Sequence, residues 1–200
     1  MKLQSLLGLI MSLTIVSQLS NSVLAQTEAK IATVPLTKQL YAQSRSQKQV
    51  PALFRSILPQ IKRQTRVPIL LPNLPSVTPD RQRIYINGSG KSNGYRIALG
   101  SLPNCNGVTS CSLGYIIAER GSSPYSDEAT QQVTLARNIT GYYTPRSYKA
   151  SPAIEWVYKS VVYSIALQEY LYTNGDNPNS NIVKAEMIKI ANSAIVAGSR

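Results

Sequence analysis

Residues 153–167, AIEWVYKSVVYSIAL, decide the fold. Val161, Tyr163, Ile165 and Leu167 alternate along the second half, the period of a strand with one face toward a core. Ala153 to Tyr158 reads as a partner strand, with Lys159 and Ser160 left to make the turn. A pair of strands this close in sequence is an antiparallel hairpin. It cannot be stable alone, so the flanking sequence must supply more strands and a cover.

Working backwards from the hairpin, the period stays near two. Ile139 to Tyr143, Gln132 to Ala136 and Leu113 to Glu119 read as strands, as do Tyr95 to Leu99 and Arg83 to Asn87. The stretch between the last two, GSGKSNG, reads as a hairpin turn. It lacks the Gly-Lys-Ser/Thr ending of a phosphate loop, and no helix follows it. Thr65 to Pro72 (TRVPILLP) is extended between prolines and reads as an edge strand. Leu74 to Asp80 is a proline-rich loop.

Two stretches have a helical period. Val50, Leu53, Phe54, Ile57, Leu58 and Ile61 form one stripe. Pro51 suits a first turn. Pro59 does not suit a helix interior, which predicts a kink or two short helices. Lys48, Arg55 and Lys62 recur every seven residues opposite the stripe, so the segment reads as a basic amphipathic helix. Such a helix can lie on an anionic membrane, or cover a sheet with its charges in water. The second helix runs from about Ile182 to Ala197, with Val183, Met187, Ile190, Ala191, Ala194 and Ile195 on its apolar face and Gly198 as cap. The predicted class is therefore α+β: a single antiparallel sheet with a kinked N-terminal helix and a C-terminal helix packed on it.

The first 25 residues carry a targeting signal. Lys2 precedes an apolar run, Leu6 to Val16, and Val23-Leu24-Ala25 has small residues where signal peptidase reads. Cleavage after Ala25 leaves no cysteine next to the cut, which closes the lipoprotein route. Residues 26–46 read as a flexible arm and 47–200 as one domain. The expected location is secreted or periplasmic.

Composition limits the chemistry. The chain has no histidine, which removes the usual Ser/His/Asp and Cys/His nucleophiles and the commonest metal ligand. Cys105 and Cys111 lack the further ligands a zinc site needs, and in an exported protein they read as a disulfide. Asp176, Asn177, Asn179 and Asn181 fail the calcium-loop spacing. No cofactor or metal is expected. Among nine carboxylates, Glu119 and Glu155 fall inside strands. A glycosidase needs two carboxyls facing each other across a sugar, and this pair is the candidate if both share a face.

Net charge is +12. No acid lies between Ala29 and Pro79, while Lys30, Lys38, Arg45, Lys48, Arg55, Lys62, Arg63 and Arg66 do. A field of one sign favours anionic partners. Outside the cell these are acidic polysaccharide or an anionic membrane surface, with nucleic acid the less expected. Tyrosine is the second unusual feature: twelve, against one Phe and one Trp. Tyr142 and Tyr143 with Trp156, Tyr158 and Tyr163 could make a stacking platform for a ligand, or pack a half-exposed sheet. The candidate ligand-binding residues are thus Lys48, Arg55, Lys62, Arg66, Tyr142, Trp156 and Tyr158.

Several blocks, RSILPQIKRQTRVPILLP, LPNCNGVTSCSLGYI, VTLARNITGYYTP, IEWVYKSVVYSIAL and MIKIANSAI, resemble a family of small secreted cyanobacterial proteins of uncharacterised role, over most of residues 50–197. The hairpin and last helix are also similar to the end of a broader bacterial domain of unknown function found in envelope and regulatory proteins. Its turn is usually Asp-Gly-like, and Lys159-Ser160 here leaves the hairpin type open. The resemblance implies an exported compartment and the α+β class, and supplies no catalytic residue. The leading expectation is an exported non-catalytic binding domain. A carboxylate-based hydrolase of envelope polysaccharide and a peripheral membrane-surface protein are the alternatives.

Overall fold

The computed structural model describes residues 49–105, 110–147, 150–172 and 179–200. The predicted signal peptide and arm, Lys48, Asp176 and Asn177 lie outside them. The described chain folds as one seven-stranded antiparallel sheet: β1 (Tyr85–Lys91), β2 (Gly94–Gly100), β3 (Ser112–Arg120), β4 (Gln131–Leu135), β5 (Ile139–Thr144), β6 (Ala153–Tyr158) and β7 (Val161–Leu167). The order across the sheet is β1-β2-β3-β7-β6-β5-β4. Two meanders, β1–β3 and β4–β7, are thus joined along the central β3/β7 pair. The segment 121–130 carries the chain from the middle of the sheet to its far edge.

One face of the sheet holds the core. Tyr95, Ile97, Leu99, Ile116, Ala118, Tyr143, Ile154, Trp156, Tyr163 and Ile165 are buried there, at the alternate positions their strand registers require. Helix α1 (Leu58–Gln64) and helix α2 (Ser180–Ala197) cover this face. The hairpin β6/β7 has the predicted bounds, and Lys159 and Ser160 have φ of 52° and 58°. Positive φ at both turn residues is the type I′ geometry that matches strand twist, without the Asn-Gly it favours.

The N-terminal stripe divides into two short helices, a 3-10 turn at Ala52–Phe54 and then α1. Pro59 sits in the first turn of α1, where its missing N–H costs nothing. On α2, Asn179 caps by accepting from the Asn181 N–H at 2.8 Å, and the predicted apolar face is buried throughout.

Two expectations are corrected. The glycine-rich stretch is not a long turn: β1 and β2 pair all the way to Lys91 and Gly94, and only Ser92 and Asn93 turn. Gly88 and Gly90 face the core because α1 comes too close for a side chain. A Cβ at Gly88 would sit 2.8 Å from Ile61 Cδ1, and one at Gly90 would sit 2.7 Å from Gln64 Cβ. Helix α1 also satisfies the edge of β1, since Gln60 Nε2 donates to Gly88 O (3.3 Å) and Gln64 Oε1 accepts from Gly90 N (2.8 Å). That blocks the free ladder on which another strand would pair.

The second correction is Thr65 to Pro72, which belongs to no strand. It crosses beneath the sheet as a buried strap, with Val67, Ile69, Leu70 and Leu71 in the core. Side chains and other loops take the place of a ladder. The Tyr95 hydroxyl serves both polar groups of Leu70, Tyr163 donates to Pro68 O (2.7 Å), and Arg200 N donates to Ile69 O (3.1 Å).

Cys105 and Cys111 are disulfide-bonded, with Cα atoms 5.8 Å apart, closing the β2–β3 loop. No described helix is long and apolar enough to cross a membrane.

Candidate functional site

The sheet gathers cations at one end. The β1–β2 turn, the end of β3 and the β6–β7 turn meet there, since Arg120 N donates to Asn93 O (2.8 Å) and Arg120 pairs with Val161. The last turn of α1 and the start of the strap join them through Arg66 N on Ser92 O (3.2 Å). Exposed Lys62, Arg63, Arg66, Lys91, Arg120 and Lys159 therefore share this end. Glu119 is the carboxylate among them. It bonds Lys91 Nζ at 2.6 Å, and that hydrogen bond and charge hold its carboxyl below the ordinary carboxylate range. Among the described residues, no carboxylate lies within ion-pair distance of Lys62, Arg63, Arg66 or Arg120.

Two of the predicted site residues, Lys62 and Arg66, belong to this group. Arg55 lies elsewhere, in a groove against α2 with Lys189 and Arg200. Residues 55–57 form a turn between the 3-10 segment and α1, and Lys62 is not among the residues lining that groove. Lys91, Arg120 and Lys159 were not singled out from sequence. The available signal was their place in or beside the tight turns that meet at one end of a meander.

The apolar stripe opposite these charges points inward. Phe54 and Ile61 are fully buried and Leu58 nearly so. They cover the sheet and are not free to enter a membrane.

The aromatic set does not make a platform. Trp156 is 1% exposed and stacks on Tyr163, with centroids 5.5 Å apart and planes 15° apart. Tyr143 is buried on the same face. Tyr158 is half-buried at the rim, tilted against Tyr163 at 6.4 Å. Tyr142 precedes Tyr143 in β5 and so points to the opposite face, where it pairs in register with Glu155. Trp156 and Tyr142 are thus on opposite sides of the sheet. Burial raises the hydroxyl pKa of Tyr95 and Tyr163, which keeps both as neutral hydrogen-bonding groups.

Among the described residues, no helix covers the opposite face. Here Arg96 lies over the Tyr115 ring (4.8 Å) and Arg83 over Tyr85 (5.4 Å), each a cation–π contact. The segment 121–130 crosses part of this face. Tyr125 N donates to Glu155 Oε2 (2.5 Å), and Thr130 and Thr144 share a hydroxyl hydrogen bond (3.2 Å).

Glu119 and Glu155 both point to this second face, but β7 runs between them, with Glu119 opposite Val162 and Glu155 opposite Ser164. Two strand spacings and a two-residue offset set their Cα atoms roughly 12 Å apart. Each carboxylate is held by its own donor, Lys91 or the Tyr125 N–H. These donors belong to different elements, β1 for Glu119 and the segment 121–130 for Glu155. Among the described residues, no group of three Cys, Asp or Glu side chains could hold a metal ion.

Compared with known proteins, the chain matches no family model, no curated protein and no solved structure.

Proposed function

We propose that the protein is an exported, non-catalytic binding domain that engages an acidic polysaccharide at the cell envelope or outside it. The observation that supports this reading is the basic end of the sheet, where Lys62, Arg66 and Arg120 lie in water with no carboxylate partner among the described residues. A polymer with regularly spaced carboxylates or sulfates can contact cations on several elements at once. The apolar stripe beside them is buried, which favours a polymer over an inserted lipid surface. The apolar signal at residues 6–16 and the resemblance to secreted proteins support the compartment.

The test is affinity electrophoresis through gels containing alginate, an acidic polysaccharide. Wild-type protein should be retarded at low salt and released as salt rises, because exposed charges are screened beyond about 8 Å at physiological ionic strength. The triple variant Lys62→Glu/Arg66→Glu/Arg120→Glu should run unretarded while keeping its circular dichroism. Unretarded wild-type protein, or equal retardation of the folded variant, would overturn the proposal. N-terminal sequencing of the exported protein should begin at Gln26.

A further inference from the structure

A second cationic surface lies away from the basic end. Between α2 and the chain around the 3-10 turn is a groove of about 610 Å³, a volume in the range of small-molecule sites. Val50, Pro51, Leu71 and Val196 supply an apolar wall, and Arg55, Lys189 and Arg200 supply charge. Among the described residues, no carboxylate side chain lines it.

The two guanidiniums are positioned but not saturated. Arg55 Nε donates to Val50 O (3.3 Å), and Arg200 Nη2 donates to Gln49 O (3.5 Å). Arg200 Nε is buried without a hydrogen-bond partner. A buried donor left unpaired is rare in folded proteins. Asn73 and Ser193 fix the floor, since Asn73 N donates to Ser193 Oγ (2.8 Å) and ties the strap to α2. Lys189 stands on the rim, exposed and within 3.3 Å of Glu186.

We infer that this groove binds a small amphiphilic oxyanion, a carboxylate or phosphate on an apolar body, with Arg55 and Arg200 on the headgroup. Planar guanidiniums take such oxyanions through paired N–H donors. The apolar wall takes the body. The groove is a different surface from the proposed polysaccharide site and does not depend on it.

The experiment is calorimetric titration of the exported protein with four eight-carbon probes below their micellar concentrations: octanoate, octyl phosphate, octanol and octylamine. At least one of the two anions should bind saturably, and at least tenfold more tightly than the alcohol or the amine. Which anion binds better distinguishes a carboxylate ligand from a phosphate ligand. Arg55→Ala/Arg200→Ala should weaken that binding at least tenfold while leaving the protein folded. Lys62→Glu/Arg66→Glu should leave it within twofold. Failure of both anions to bind, equal binding of the alcohol or the amine, or loss of binding in the Lys62/Arg66 variant would each overturn the inference.

Discussion

The Tyr95 hydroxyl hydrogen-bonds both backbone groups of Leu70, accepting from its N–H at 3.1 Å and donating to its carbonyl at 2.9 Å. One side chain thereby replaces a strand partner for a buried residue. Tyr163 does the same more simply, at Pro68 O. The strap can cross the core without a ladder because these two phenols reach it from the sheet.

Removing that hydroxyl leaves a buried N–H and C=O unpaired. Tyr95→Phe is expected to destabilise the domain by about 1–3 kcal/mol, the cost of an unsatisfied buried group. Tyr163→Phe, which frees a single acceptor, should cost less. Urea denaturation of both variants checks the ranking, and a Tyr95→Phe protein as stable as wild type would refute this role.

The same phenols set the alkaline limit. Burial, with the neighbouring Tyr163, raises the Tyr95 pKa far above its ordinary 10.0, so the folded state holds the proton more tightly than the unfolded chain does. The sign follows from linkage: the stabilisation is complete below pH 10 and is lost as pH rises above it. Denaturation midpoints should stay flat between pH 8 and 9.5 and fall steeply above pH 10.5. Tyr95→Phe should flatten part of that fall. An unchanged alkaline slope in the variant would show that Tyr95 does not carry it.

In the β6–β7 turn, Lys159 and Ser160 hold a left-handed backbone that side chains disfavour. Lys159→Asn/Ser160→Gly supplies the residues a type I′ turn prefers. Relief of strain at two such positions should stabilise the protein by about 1–2 kcal/mol. The cation–π contact of Lys159 with Tyr158, 5.5 Å to the ring centroid, is exposed, and its loss subtracts little. Thermal melting of the double variant should show a higher midpoint, and a lower one would contradict the turn assignment.

Gly90 tests the approach of α1 to β1. An alanine methyl there meets Gln64 Cβ and the Ile61 carbonyl, not a flexible chain end. Gly90→Ala should destabilise by about 1–3 kcal/mol through overpacking. It should also speed exchange of the amide at position 90, which donates to Gln64 Oε1 across this edge, because the helix that covers it is displaced. Unchanged stability would mean that α1 yields without cost.

The strands and α2 were legible because each buries one face, and burial writes a period into the sequence. The β6/β7 hairpin and the six buried positions of α2 are cases where residue pattern alone determined local structure. The strap was misread because two prolines and a run of Ile-Leu-Leu look the same whether the backbone pairs with a strand or with two tyrosine hydroxyls. The glycine-rich stretch was misread because glycine serves equally in a turn and beneath a close helix. Only the position of Ile61 and Gln64 separates the two uses.

Charge divides in the same way. An excess of cations, the want of histidine and a lone cysteine pair belong to the sequence, and by themselves they limit what this protein can do. Where the cations stand was decided by tertiary structure. Arg55 faces the groove against α2, and the meeting of the β1–β2 turn, the end of β3 and the β6–β7 turn brings Arg120 and Lys159 to Arg66. Sequence spacing predicts neighbours only within one continuous element, whereas long-range strand pairing sets neighbours between elements.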